Sequence, residues 1–140
     1  MLAKSHRFMA ASGAVFLGAP PLGIAAAALG ATLPDRIEVI GLPHRGISHW
    51  PWPWAAVVWV MHSQGTEWSA VLAWWFAGAL FHIGADLLTI GGIPLFLPNW
   101  RVRLGSLRTG EFGEFFVVAF FVLAAVMQVL HLQLVRVGGP

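Results

Sequence analysis

The chain has 140 residues, of which 58% are hydrophobic and only 10% charged, and its mean hydropathy of +0.75 is too high for an ordinary soluble domain of this size and points to a lipid bilayer. The absence of cysteine excludes disulfides and thiolate metal sites, so any metal must be held by His, Asp and Glu. Eight Lys and Arg against six Asp and Glu, with no basic run, argue against nucleic-acid binding and fit contact with anionic headgroups or phosphate.

In chain order, Met1 to Arg7 is a short polar start holding Lys4, His6 and Arg7. Phe8 to Leu33 carries no charge, so it reads as a transmembrane helix or a signal peptide. The segment Gly18-Ala19-Pro20-Pro21-Leu22-Gly23 argues against a straight span, because tandem proline removes backbone donors and breaks the helix ladder. A hairpin of two half-length helices, Phe8 to Leu17 and Gly23 to Leu33, is the better reading. A continuous helix would hold His6 and Asp35 roughly 43 Å apart, whereas a hairpin returns them to one end.

The connector Pro34 to His49 is dense in chemistry, with Asp35, Glu38, His44, Arg45 and His49. Trp50 to Met61 resumes an apolar helix with Pro51 and Pro53 in its first turn, and Trp50, Trp52 and Trp54 suit an interfacial belt. His62 to Glu67 reads as a turn and Trp68 to Ile90 as a returning helix ended by Gly91 and Gly92. Pro94 and Pro98 make Ile93 to Asn99 irregular, and Trp100 to Gly113 is polar, with Arg101, Arg103, Arg108 and Glu111. Glu114 opens a last helix to about Val135, long enough to span a bilayer, with His131 near its far end and given no role. The expected fold is therefore all-α: a single domain, 1–140, forming a membrane-embedded bundle of about five helices. Seven of the eight Lys and Arg fall at the end that carries the connector, which by the positive-inside rule faces the cytoplasm.

His82 and Asp86 stand four residues apart inside an otherwise apolar helix, so they share one face. Ionisable groups at such depth are costly unless paired or metal-bound. The simpler alternative is a neutral His82 hydrogen-bonded to Asp86 as structural glue. With the two hairpins folded, His6, Asp35, His44, His49, His82 and Asp86 converge at one end, with Glu38, Glu111 and Glu114 nearby. Imidazole and carboxylate without sulfur suit zinc first, then manganese or iron, with room for more than one ion. Arg45, Arg101 and Arg103 offer forked donors for phosphate, or equally for lipid headgroups.

The pattern His6, Leu33-Pro34-Asp35, His44-Arg45-Gly46-Ile47-Ser48-His49, His82-x3-Asp86-x2-Thr89-x2-Gly92-Ile93-Pro94-Leu95-x2-Pro98 and Trp100-Arg101-Val102-Arg103-Leu104 resembles the YdjM-like family. These are LexA-regulated bacterial inner-membrane proteins classed as metal-dependent hydrolases. Where that family has Ile-Asp-His after Pro-Asp, this chain has Arg36, Ile37 and Glu38, so Glu38 stands in for an expected ligand. Glu114 matches a glutamate that opens the family's last helix. The His-x3-Asp pair is remotely similar to the zinc-dependent phospholipase C and P1 nuclease superfamily, all-helical enzymes that cleave phosphodiesters.

The resemblance and the residues together imply a multi-pass inner-membrane hydrolase of a lipid or lipid-linked phosphoester. His6, Asp35, His44, His49, His82 and Asp86 would hold the metal, Glu38 or Glu114 would act as general base or complete the ligand shell, and Arg45, Arg101 and Arg103 would orient the phosphate. A non-enzymatic membrane protein, using the cluster as a structural metal or polar site that recruits a partner, is the alternative. A transporter is the third reading, and the lack of polar groups in Val71 to Ala77 and Val117 to Val126 counts against it.

Overall fold

The reversal at Gly18-Ala19-Pro20-Pro21 exists. In the computed structural model, which describes residues 1–38, 41 and 45–137, α1 (Ala3–Phe16) ends before it and α2 (Pro21–Gly30) begins after it. Gly18 turns the chain at φ 78°, a conformation glycine takes without a Cβ penalty. Pro21 then occupies the first helical turn, where its missing N–H costs nothing. α1 begins at Ala3, ahead of the expected Phe8, because the polar start is itself amphipathic: Ser5 and His6 turn inward while Lys4 and Arg7 face out.

The short α3 (Leu33–Ile37) follows, and beyond the connector a single 3-10 turn, Ile47–His49, precedes α4 (Pro51–Ser63). α5 (Glu67–Leu87) is the central element, packed against α1, α2 and α4. Its start is fixed by a reciprocal cap, in which Thr66 Oγ1 accepts from Ser69 N and Ser69 Oγ accepts from Thr66 N, each at 3.1 Å. It ends at Leu87, short of the expected Ile90. There Thr89 turns back on the Asp86 carbonyl, and the backbone of Leu88 and Ile90 pairs with Leu107. Ile93 to Asn99 is not wholly irregular: β1 (Ile93–Pro94) pairs antiparallel with β2 (Arg101–Val102), Ile93 opposite Val102. Strands of two residues leave no alternation to read in a sequence. α6 (Phe112–Val137) opens two residues ahead of Glu114 and lies along α1.

Small residues bring the helices close. Ala10, Ala14, Ala27, Ala31, Ala79 and Ala85 are buried, and glycines mark the tightest contacts. A Cβ on Gly78 would run into the backbone of Ala27 in α2 and of Ala31 just past its end, and one on Gly30 into the carbonyl of Trp75 in α5. Such close backbone approach is how helices associate where lipid removes the ordinary hydrophobic drive. The segments Glu67–Leu87 and Phe112–Arg136 are long and apolar enough to cross a membrane. α6 leaves Phe115, Phe116, Phe120, Leu123, Met127, Leu130 and Leu134 uncovered by the rest of the chain.

Candidate metal centre

Five of the six expected ligands meet at one end of the bundle. α5 supplies His82 and Asp86, the 3-10 turn His49, α3 Asp35 and α1 His6. His44, the sixth, lies outside the described residues. His49 Nε2 and His82 Nε2 stand 3.2 Å apart. Asp35 Oδ1 is 3.4 Å from His82 Nε2 and 3.6 Å from His49 Nε2. Asp86 Oδ2 is 3.4 Å from His49 Nε2 and 3.7 Å from His82 Nε2. Two groups, Asp35 with His49 and His82, and His6 with His82 and Asp86, gather one ligand atom from each member within 4.8 Å and could hold a metal ion.

The hydrogen bonds around the two imidazoles decide what their inward nitrogens are. His82 Nδ1 lies 2.7 Å from the carbonyl of Ala31, which can only accept, so Nδ1 carries the proton and Nε2 the lone pair. His49 Nδ1 lies 3.0 Å from Glu38 Oε1 and 3.0 Å from Ser48 Oγ. The Ser48 hydroxyl already donates to Glu38 Oε1 at 2.7 Å, so His49 Nδ1 is again the donor. Two lone pairs therefore face each other at 3.2 Å beside two carboxylates, an arrangement that repels unless a cation joins them. Four ligands at ~2.0–2.1 Å around a tetrahedral ion stand roughly 3.3–3.4 Å apart. The residues present fit a divalent ion of this kind.

The outer contacts are those that orient metal ligands elsewhere in proteins: a carboxylate behind one imidazole and a backbone carbonyl behind the other. Glu38 is thus placed behind His49, where it also accepts the Arg45 backbone N–H at 2.8 Å, and not against the facing nitrogens. Glu38→Gln is expected to leave the fold intact and weaken metal binding about 10- to 100-fold in a competition titration with a chelator. Glu114 is buried and accepts the backbone N–H groups of Leu2 and Gly110, both at 2.8 Å, tying the start of α1 to that of α6. Glu111 is exposed and pairs with Arg108 at 3.9 Å, so it does not join the cluster.

The other oxygen of Asp86, Oδ1, faces cations. Arg45 Nη2 is 3.1 Å away, the Met1 amino group 3.4 Å and His6 Nε2 3.5 Å. His6 stacks on His82 with ring centroids 3.7 Å apart. Arg45 is therefore drawn into the cluster, whereas Arg101 and Arg103 are exposed on and just after β2. The site opens at Asp35, whose side chain is 43% exposed, while those of His49, His82 and Asp86 are at most 2% exposed.

Burial opposes charge on both Asp35 and His49, and their mutual contacts outweigh it. Without an ion, a proton between the facing nitrogens takes its place, and hydrogen bonding to His49 and His82 then holds the Asp35 carboxyl below its usual range. Hydrogen bonding to Asp35 and Asp86, with the charges of Asp86 and Glu38, raises His49 above 6.5. For chelator-treated protein the signs follow. The raised His49 contributes stability fully present below pH 6.5 that fades as pH rises through its folded value, and the lowered Asp35 contributes stability above pH 3.8 that is lost on acidification. A metal reverses the first dependence, because it competes with the proton for His49 Nε2. Metal affinity, measured by titration across pH, is expected to start falling at a pH above 6.5 as the solution is acidified.

Several positioning groups carry no sequence signal of that role. Ala31 acts through its carbonyl, Thr89 through Oγ1, which accepts from Arg45 Nη1 at 2.8 Å, and Trp54 through Nε1, which donates to the Ser48 carbonyl at 2.8 Å and braces the turn bearing His49. Trp52 likewise donates to the Leu95 carbonyl at 2.7 Å. Comparison of the chain with protein-family models, with curated proteins and with solved structures finds no match in any of the three.

Proposed function

We propose that this protein is a multi-pass, membrane-embedded, metal-dependent hydrolase acting on a phosphoester in or near the lipid headgroup layer. The observation that carries the reading is the meeting of two lone-pair nitrogens, His49 Nε2 and His82 Nε2, at 3.2 Å, with both opposite ring nitrogens already committed. His49, His82, Asp35 and Asp86 would hold the ion, and zinc suits this nitrogen and oxygen set best, ahead of manganese or iron. Bound there, a divalent ion supplies Lewis-acid polarisation of a phosphoryl oxygen.

The rest falls to the chain's own groups. Glu38 and the Ala31 carbonyl keep both imidazoles in the ligating tautomer. The half-exposed Asp35 carboxylate would bind the ion through Oδ1 and leave its other oxygen to accept a proton from an incoming water, a general-base role that Glu38, behind His49, and Glu114, bound to backbone N–H groups, are not placed to take. Arg101 and Arg103, two residues apart beside the exposed Trp100 and Leu104, supply donors for a phosphate at the bilayer surface. The resemblance to the YdjM-like family supports the inner membrane, and the gathering of seven of the eight Lys and Arg at the end that carries the site supports its cytoplasmic side.

The test is purification in detergent, metal analysis, and an assay of phosphate-ester release from phospholipid and lipid-diphosphate vesicles with and without added zinc. Zinc-dependent turnover that Asp35→Asn lowers at least a hundredfold is the expected result. Bound metal without turnover on any phosphoester would favour the non-enzymatic reading. The specific observation on that side is that Asp35 and Asp86 each stand 3.4–3.7 Å from the facing His49 and His82 nitrogens, so the ligands of an ion can come from protein alone.

A further inference from the structure

We propose that the Arg45 guanidinium is the built-in second cation of this cluster, so that the site takes one divalent ion and not two. The inference rests on the metal-binding reading above and adds the number of ions and the residue that sets it. The two oxygens of Asp86 are divided between two places. Oδ2 faces His49 Nε2 at 3.4 Å and His82 Nε2 at 3.7 Å, and Oδ1 faces Arg45 Nη2 at 3.1 Å and His6 Nε2 at 3.5 Å. His82 has one Nε2 lone pair to give and the first ion takes it, so what the Oδ1 side offers a second ion is His6 Nε2 and Asp86 Oδ1, 3.5 Å apart. Arg45 reaches the same oxygen.

The local structure aims the guanidinium there against its own preferences. Arg45 sits at φ 56°, a left-handed conformation that non-glycine residues keep only when their surroundings over-determine it. Its backbone N–H is held by Glu38 Oε1 and its Nη1 by Thr89 Oγ1, both at 2.8 Å. Its Nε is buried with no hydrogen-bond acceptor, a loss accepted in reaching Asp86. Gly91 clears the path, since a Cβ there would collide with the guanidinium.

Charge balance gives the same count. Asp35, Glu38 and Asp86 bring three negative charges. One divalent ion and one guanidinium bring three positive ones, with the imidazoles neutral. A guanidinium keeps its charge at any working pH, so a second divalent ion would leave two uncompensated positive charges in a buried cluster. The Met1 amino group, 3.4 Å from Asp86 Oδ1, is accompanied by the Glu114 carboxylate that binds the next backbone N–H, so this pair does not alter the balance.

The test is zinc titration of the chelator-treated full-length protein in detergent, read as equivalents bound by calorimetry and by metal analysis after desalting. Wild type and Arg45→Lys are expected to bind one equivalent. Arg45→Met, with the polar Arg45→Gln as a second neutral variant, is expected to bind two, and adding His6→Ala to either should return the count to one. Two equivalents in wild type overturn the inference, whether or not the neutral variants fold. So does a single equivalent in a neutral variant that retains wild-type helicity, although metal binding itself then stands. No uptake by wild type overturns the metal-binding reading and this inference with it.

Discussion

Replacing His82 by alanine is expected to cut bound zinc from about one equivalent per chain to below a tenth, and to abolish the stabilisation that added zinc gives the wild type. The imidazole is fully buried and is the member shared by both ligand groups. Its Nδ1–H is anchored on the Ala31 carbonyl at 2.7 Å, so its Nε2 has no freedom to be replaced by a water in the same position. For wild type, free zinc at a hundred times the dissociation constant should add about 2.7 kcal/mol of stability by mass action alone, and a variant that does not bind should gain nothing. Thermal unfolding with and without zinc checks this. His82→Asn, which keeps a buried polar group able to reach the Ala31 carbonyl, separates loss of metal from simple loss of packing.

The second large effect is expected far from any ligand. Gly78→Val should destabilise the protein by ~1–3 kcal/mol or more through overpacking, and should lower metal affinity as well. Gly78 faces the backbone of Ala27 in α2 and of Ala31 at its C-cap with no room for a side chain. Two branched methyls there must push α2 away from α5. The carbonyl of Ala31 moves with α2, so the hydrogen bond that fixes the His82 tautomer is lost along with the packing. Gly84, on the same helix with open space around it, is the control: Gly84→Ala should be tolerated and should bind metal as wild type does. Urea or thermal unfolding of both variants, with zinc titration, distinguishes the two positions.

The parts of this architecture that depend on local rules were legible in the sequence. Tandem proline at Pro20 and Pro21 stops a helix wherever it occurs, and the reversal it causes is what brings His6 to within 3.5 Å of Asp86. The four-residue spacing of His82 and Asp86 requires only helical periodicity, and both side chains do face the same cluster. The roles that depend on which neighbours the folded chain presents were not legible. A glutamate between Asp35 and His49 can be a ligand, a base or an orienting partner, and only the position of Glu38 behind His49 Nδ1 decides for the last. Arg45 has the composition of a phosphate binder, yet Asp86 and Thr89 hold two of its guanidinium nitrogens. Glu114 looks like chemistry in the sequence because it is acidic and opens a helix, whereas its carboxylate binds backbone N–H groups. A contribution such as the Ala31 carbonyl has no residue-type signature at all. The first helix began earlier than hydropathy suggested because a polar segment can be helical when one face, here Ser5 and His6, is buried.

The central claim is that His49 and His82 turn the lone pairs of their Nε2 atoms to a shared divalent ion alongside aspartate oxygens. X-ray absorption at the metal edge of zinc-loaded protein tests it most directly. The account predicts about two imidazole nitrogens and two oxygens at ~2.0–2.1 Å, with the imidazole signal halved in His49→Ala protein that still retains metal. A zinc shell made of oxygen alone, with no imidazole scattering, would contradict it.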